Sequence, residues 1–374
     1  MTRIPRVLYD DTLAANPAGT GTYVRGLRDA LKSRAEVEVV TSAFTSASLG
    51  ALDTGRKSAS ARLRNSLRHI IYYWNVLPRR ARAMGCDIIF CPSALVPLRG
   101  ATPFVMTVFD LTHLTLSSSQ DRLSGTYTWA MLRRGLARAT GLCTISQTIK
   151  ADLLARFPRI EPDRIHVTYP GPNPQLMSAT ATPAPVGGAP FVLMVGTIEP
   201  RKNHLTLLRA LADHRRRRPD SGLTLVLAGS TGWLYQPVLR AMDELGVRDR
   251  AIQLGAVDAG ALKWLYQHAL ALMFPSLYEG FGLPVLEALL LQCPVVASRI
   301  ASVLEITGED GWLLPPTDVS AWSKTLDQLV EGARDTATIA AGLQRASRFT
   351  WEACAGSAVQ AINAALRATG SIER

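Results

Sequence analysis

The chain has 374 residues, 47% of them hydrophobic and 19% charged, with a formal net charge of +11. That length predicts two domains, each large enough to bury a core, and the composition excludes a disordered chain. No run approaches the roughly 18 consecutive apolar residues of a membrane span, and the opening Met1–Asp10 lacks the apolar stretch of a secretory signal, so a cytoplasmic chain is expected. The five cysteines (Cys86, Cys91, Cys143, Cys293, Cys354) form no Cys-x-x-Cys, which predicts reduced thiols rather than a disulfide framework or a zinc site.

In chain order, short apolar β-branched runs predict strands near Arg6–Asp11, Val37–Ser42, Asp87–Pro92, Phe104–Phe109, Gly141–Ile145 and Ile165–Tyr169. After the Pro/Gly/Ala stretch Thr182–Pro190, the best linker in the chain, they recur near Phe191–Thr197, Leu223–Ala228, Ile252–Leu254, Ala271–Phe274 and Pro294–Ala297. Helix-length segments separate them. The alternation predicts an α/β chain of two Rossmann-like domains facing across a cleft, at 1–183 and 184–350, followed by an amphipathic helix in 351–374.

Charge divides at the same linker. Residues 1–190 hold 23 Lys+Arg against 12 Asp+Glu, whereas residues 191–374 hold 18 of each. Between Gly55 and Arg82 lie eight basic residues and no acid, interleaved with Leu63, Leu67, Ile70, Ile71, Tyr72, Tyr73, Trp74 and Leu77. This reads as a basic amphipathic helix. A solvated face, a nucleic-acid patch and a lipid-facing surface all fit such a segment; no nucleic-acid motif accompanies it, so residues 56–82 are expected to meet an anionic membrane surface.

In open parallel sheets the residues just after each strand carry the chemistry. The first such loop holds Gly19, Thr20 and Gly21 ahead of a helix expected from about Tyr23; it lacks the third glycine of a dinucleotide fingerprint, because Val24 stands there. Gly196–Asn203 places Arg201 and Lys202, a planar fork and a point charge suited to a diphosphate, before a helix. In Phe274–Leu291, Pro284 opens a helix, Phe281, Gly282 and Leu283 can present backbone amides to an anion or to hydroxyls, and Glu279 and Glu287 stand eight residues apart. That spacing is too long for one acid dyad and suits two parts of an extended ligand. Alone, Glu287 would read as a helix cap.

These segments, together with Cys143–Gln147, His166–Gly171 and Pro315–Asp318, resemble the large GT-B family of retaining glycosyltransferases numbered family 4, over nearly the whole chain. The wording Val195–Asn203 is most similar to bacterial mannosyl- and rhamnosyltransferases of surface polysaccharides. The resemblance implies that Glu287 holds the nucleotide ribose, Lys202 and Arg201 the diphosphate, Glu279 with Phe281–Leu283 the donor sugar, and that Val257 lies near the base. It also implies that the last helix crosses back onto the first domain. A family segment that usually reads His-Asp is Phe109-Asp110 here, which leaves Asp110 or His113 to serve instead.

The expected activity is therefore transfer of a hexose, mannose or a deoxyhexose, from a nucleoside diphosphate sugar, GDP-linked by wording, to a glycan or lipid-linked acceptor, with the α configuration kept. No Asp-x-Asp occurs, so no metal or other cofactor is expected. The chain would work at the inner face of the cell membrane. Other GT-B enzymes, such as a sugar-nucleotide epimerase or a phosphorylase, and a non-catalytic lipid- or partner-binding protein share parts of this pattern.

Overall fold

A computed structural model describes residues 3–42, 68–111, 122–333 and 335–370. Among these residues the strands form two six-stranded sheets in which every pairing is parallel. The chain divides into two units, Met1–Gly171 with Phe349–Arg374, and Pro172–Arg348.

In the first unit the strands are β1 (Arg6–Tyr9), β2 (Glu38–Thr41), β3 (Ile88–Cys91), β4 (Phe104–Val108), β5 (Gly141–Thr144) and β6 (Ile165–Val167), in spatial order β2-β1-β3-β4-β5-β6. Strands β3, β4 and β5 are buried at every residue, as continuous apolar runs covered on both faces should be. The helix Gly19–Lys32 begins earlier than its sequence suggests, so Gly19, Thr20 and Gly21 form its first turn. A Cβ on Gly21 would fall 1.8 Å from the Asn16 carbonyl oxygen, so this glycine admits the preceding turn against the helix. The last helix, Trp351–Ala368, packs on Gly19–Lys32 and on β5 and β6, with the Trp351 ring against Gly26 and Gly171.

Of the basic segment, residues 56–67 lie outside the described residues. The remainder is not one regular amphipathic helix: a π-helix, Tyr72–Val76, leads into the α-helix Leu77–Ala83. Tyr72 and Tyr73 are 1% and 0% exposed, so these two aromatics belong to the core and not to a surface; Ile71 and Trp74 are 55% and 41% exposed. The widened π-turn carries both adjacent tyrosines into the core.

The second unit contains β7 (Phe191–Val195), β8 (Thr224–Ala228), β9 (Ala251–Gly255), β10 (Leu272–Phe274), β11 (Val295–Ser298) and β12 (Trp312–Leu314), ordered β12-β11-β10-β7-β8-β9. Strand β12, only three residues between Gly311 and Pro315 and at the sheet edge, is the one that the apolar pattern did not reveal. Asp258 and Asp318 cap the helices Ala259–His268 and Val319–Val330 by accepting from Ala261 N and Ala321 N at 2.8 and 3.0 Å. The passage between units falls at Gly171–Pro172, ahead of the Pro/Gly/Ala stretch. The reason is local: Lys263 Nζ donates to Met177 O and Ala179 O, and Thr182 N donates to Gly260 O, fastening this run to the second unit.

Cys91, Cys143, Cys293 and Cys354 are buried and Cys86 is half-buried, all as free thiols. No helix of the described residues is long and apolar enough to cross a membrane.

Candidate functional site

Each sheet reverses its strand order once. In the second unit the chain builds outward from β7 through β8 to β9, then returns to β10 on the other side of β7. The loops leaving β7 and β10 therefore diverge at a strand switch, where an open parallel sheet forms its ligand crevice. Arg201 and Lys202 follow β7; Glu279 and Glu287 follow β10.

The two loops are bonded to each other. Leu277 N donates to Arg201 O at 2.9 Å, and Asn203 Nδ2 donates to Pro275 O at 3.0 Å and Pro316 O at 2.7 Å. Asn203 adopts φ 60°, ψ 41°, which ends the short 3₁₀ turn Pro200–Lys202 and starts the helix His204–Arg217. Gly196, with φ +141°, leaves β7 in a conformation closed to side chains, and a Cβ there would sit 3.3 Å from Lys202 Cε. The lysine stem thus runs across bare backbone, and its ammonium lies 5.3 Å from the centroid of the Phe274 ring.

Lys202 Nζ donates to Glu279 Oε1 at 2.6 Å, and Arg201 Nη1 donates to Glu279 Oε2 at 2.5 Å and to Tyr278 O at 3.0 Å. Arg201 Nε and Nη2 both reach Glu199 Oε1, at 3.1 and 2.7 Å. Lys202 and Glu279 are 8% and 6% exposed. Burial alone would raise the Glu279 carboxyl, but the charges of Lys202 and then Arg201 outweigh it and hold the group below its ordinary value. Next to them His204 is 2% exposed, and burial followed by the Lys202 charge pushes its pKa down to about 3, so the imidazole adds no third cation.

Glu287 lies one residue past the first turn of the helix Leu283–Leu290, whose N-cap is Gly282 at φ +121°. Its Oε1 accepts from Asn173 N at 3.3 Å and its Oε2 from Tyr266 Oη at 3.4 Å. Both bonds are long, and no ion pair to Glu287 is present among the described residues. Burial pushes its carboxyl up to about 7, against the smaller opposing effects of those two donors. Such a carboxylate is under-supplied with donors, the condition in which a vicinal diol would bind it well.

The structure thus brings Arg201, Lys202 and Glu279 into direct contact and places Phe281, Gly282, Leu283 and Glu287 on the adjoining helix start. Phe281 is 3% exposed, and Leu283 is half-buried. Val257 is half-buried in the loop after β9, immediately before the capping Asp258. Gly19, Thr20, Gly21 and Asp110 lie in the first unit, where Asp110 is half-buried after β4. His113 lies outside the described residues. Sequence reasoning passed over Glu199, although it stands inside the motif, and Tyr266 and Asn173, which carry no local signal.

The first unit has its own switch, between β1 and β3. Asp10, 2% exposed, follows β1 and accepts from Tyr73 Oη at 2.8 Å, Tyr72 Oη at 3.5 Å and Thr12 N at 3.3 Å. Burial pushes its carboxyl up to about 6, with the Tyr73 and Thr12 bonds opposing. The inward-facing tyrosines of the π-helix account for this cluster.

Comparisons with known proteins bear on both units. Residues 17–176 match the family described as Glycosyltransferase Family 4, and residues 181–342 match Glycosyl transferases group 1. The chain is 40% identical over 181 residues to O-antigen chain mannosyltransferase B of Escherichia coli, covering 46% of this chain and 45% of that protein. It is 32% identical over 230 residues to a D-inositol 3-phosphate glycosyltransferase of Stackebrandtia nassauensis, covering 54% and 49%. The match therefore spans about half the length of these two relatives. With O-antigen chain mannosyltransferase RfbU of Salmonella typhimurium it shares 25% over 276 residues, 73% and 74% of the two chains. Among solved structures, sucrose-phosphate synthase of Thermosynechococcus elongatus superposes with a TM-score of 0.73 at 21% identity over 96% of this chain and 98% of that one. Anabaena HepE, solved in complex with UDP-glucose, gives 0.68 at 17% identity over 96% and 99%. Each unit thus has residues that match a glycosyltransferase family model, Glycosyltransferase Family 4 at 17–176 and Glycosyl transferases group 1 at 181–342, and the chain shares the GT-B fold of these solved structures.

Proposed function

We propose that the chain is a retaining glycosyltransferase that moves a hexose, mannose or a deoxyhexose, from a nucleoside diphosphate sugar to a hydroxyl of a glycan or lipid-linked acceptor in surface polysaccharide synthesis. The observation that carries this reading is the contact of Lys202 and Arg201 with Glu279 at the β7/β10 switch, beside a helix whose Glu287 lacks strong donors. The O-antigen mannosyltransferase names of two relatives support the sugar and the pathway class. The donor nucleotide in this reading is GDP, on the likeness of Val195–Asn203 to mannosyl- and rhamnosyltransferases.

In this reading Lys202 and Arg201 meet the diphosphate, so that negative charge growing on the leaving group is stabilised by fixed cations rather than by a metal. Glu287 accepts from the ribose hydroxyls and Val257 lies near the base. Glu279 and the Phe281–Leu283 amides address the sugar. The acceptor oxygen forms its bond to the anomeric carbon on the face from which the phosphate oxygen leaves, and that oxygen takes the acceptor proton. Gly19, Thr20, Gly21 and Asp110 are the first unit's candidates for holding substrate.

The membrane proposal rests on exposed Ile71 and Trp74, with Arg99 5.5 Å from the Trp74 ring centroid and Arg68, Arg79 and Arg82 exposed nearby in the chain. Sedimentation with anionic vesicles, reduced by salt and by Trp74→Ala, is expected.

The test of activity is incubation with GDP- and UDP-hexoses and lipid-linked or glycan acceptors. A new glycosidic bond with α configuration by NMR and stoichiometric release of nucleoside diphosphate is expected. Consumption of free phosphate, or sugar epimerisation without a new bond, would replace this reading with another GT-B chemistry.

A further inference from the structure

The four charges at the β7/β10 switch cancel. Lys202 and Arg201 contribute two positive charges; Glu279 and Glu199 contribute two negative ones, and each cation already holds a carboxylate at 2.5–2.7 Å. Arg201 is committed on three sides, to Glu199 through Nε and Nη2 and to Glu279 and Tyr278 O through Nη1. A polyanion arriving here meets no net attraction, and it meets the Glu279 carboxylate as a like charge in a buried setting. Lys202 Nζ bonds one carboxylate oxygen and keeps N–H donors for a phosphate, but a phosphate oxygen there stands against the Glu279 carboxylate, and that repulsion is relieved when Glu279 moves off the lysine.

We infer that Glu279 is a specificity residue that sets sugar nucleotide against bare nucleoside diphosphate by exchanging partners. The inference rests on the donor-site reading above and adds to it. A nucleoside diphosphate displaces Glu279 from Lys202 and leaves a 6%-exposed carboxylate with one strong partner fewer, an expensive outcome in a dry site. A nucleoside diphosphate sugar displaces it equally but brings hydroxyl donors to receive it. The carboxylate thus moves from cation to sugar as donor binds. Once the sugar has been transferred those donors are gone, and Glu279 competes again for Lys202 against the product diphosphate. The salt bridge favours the intact donor and helps expel the product.

Glu199 provides the contrast. Among the described residues its carboxylate accepts from Arg201 alone, so it positions the guanidinium without blocking the Lys202 ammonium.

The experiment is calorimetric titration of GDP, GDP-mannose, UDP and UDP-glucose into the full chain, its Glu279→Gln variant and its Glu199→Gln variant, each shown folded by its melting transition. In Glu279→Gln the nucleoside diphosphate is expected to bind about tenfold or more tightly while the sugar nucleotide does not gain, so that the preference for donor over product collapses; one charged hydrogen bond is worth that much. Glu199→Gln should leave the preference intact. A second measurement needs no variant: saturating free hexose should tighten nucleoside diphosphate binding to the wild-type chain, because its hydroxyls receive the displaced carboxylate. Should the wild type bind donor and diphosphate while neither Glu279→Gln nor free hexose changes their ratio, the exchange is overturned and the donor site stands. Should the wild type bind none of the four nucleotides, the donor-site reading fails and takes the exchange with it.

Discussion

Lys202 Nζ and Glu279 Oε1, separated by 77 residues of chain, meet at 2.6 Å in a setting where neither side chain is more than a tenth exposed. Two buried charges persist there only because each offsets the other's desolvation, and removing one partner strands the other. Lys202→Ala should therefore do two things. Burial, no longer opposed by the ammonium, should raise the Glu279 carboxyl, and transition-state stabilisation should fall by about 2–4 kcal/mol, the scale of one lost electrostatic contact to developing charge. The measurement is kcat/KM for sugar transfer; an unchanged value would remove the diphosphate role of Lys202.

Glu287 predicts a trade between stability and binding. Its carboxyl ionises near 4.5 ordinarily and at about 7 in the fold. The folded state therefore loses stability as pH rises from 4.5 to 7 and carries the full loss above 7, on the order of 3 kcal/mol by proton linkage. Glu287→Gln should melt higher than wild type at pH 8 and the same at pH 4, while losing nucleotide affinity. Donors to the carboxylate from a ribose should lower its pKa, so wild-type nucleotide affinity should weaken as pH falls below 7.

Tyr73→Phe removes the strongest donor to Asp10. Because the carboxyl ionises at about 6, the lost bond matters most above that pH. The variant should be destabilised by about 1–3 kcal/mol at pH 8 and by less at pH 5. Equal losses at both, read from urea midpoints, would show that Asp10 is not the partner that counts.

Trp351 is the first residue of the last helix. Its ring meets the edge of Tyr23 at a centroid distance of 6.1 Å and fills the space over Gly26 and Gly171. Trp351→Ala should cost about 3 kcal/mol, near the lower end for truncating a packed aromatic because the residue is half-buried. A melting transition unchanged from wild type would mean that this helix contributes nothing to the first unit.

Continuous apolar runs made eleven strands legible, since a parallel strand covered on both faces needs no alternation to be recognised. Strand β12 was too short to register. Arg201, Lys202, Glu279 and Glu287 were legible as two local motifs, yet the contact of Arg201 and Lys202 with Glu279 was not, because strand order alone brings the loops after β7 and β10 together. Tyr266, in the last turn of the helix Ala259–His268, looks like any core aromatic until Glu287 is placed beside it. Tyr72 and Tyr73 read in the sequence as part of a basic segment expected to meet a membrane, because nothing local marks the π-turn that faces them to the core.

The most direct measurement is the melting temperature of the wild-type chain, Lys202→Ala and Glu287→Gln against a panel of nucleoside diphosphates and their sugars, because a ligand that binds only the native state raises its stability. At least one nucleoside diphosphate sugar is expected to raise the wild-type transition, and both substitutions are expected to abolish the rise. Contradiction would come from a wild-type transition unmoved by every member of the panel, or from variants that respond as the wild type does.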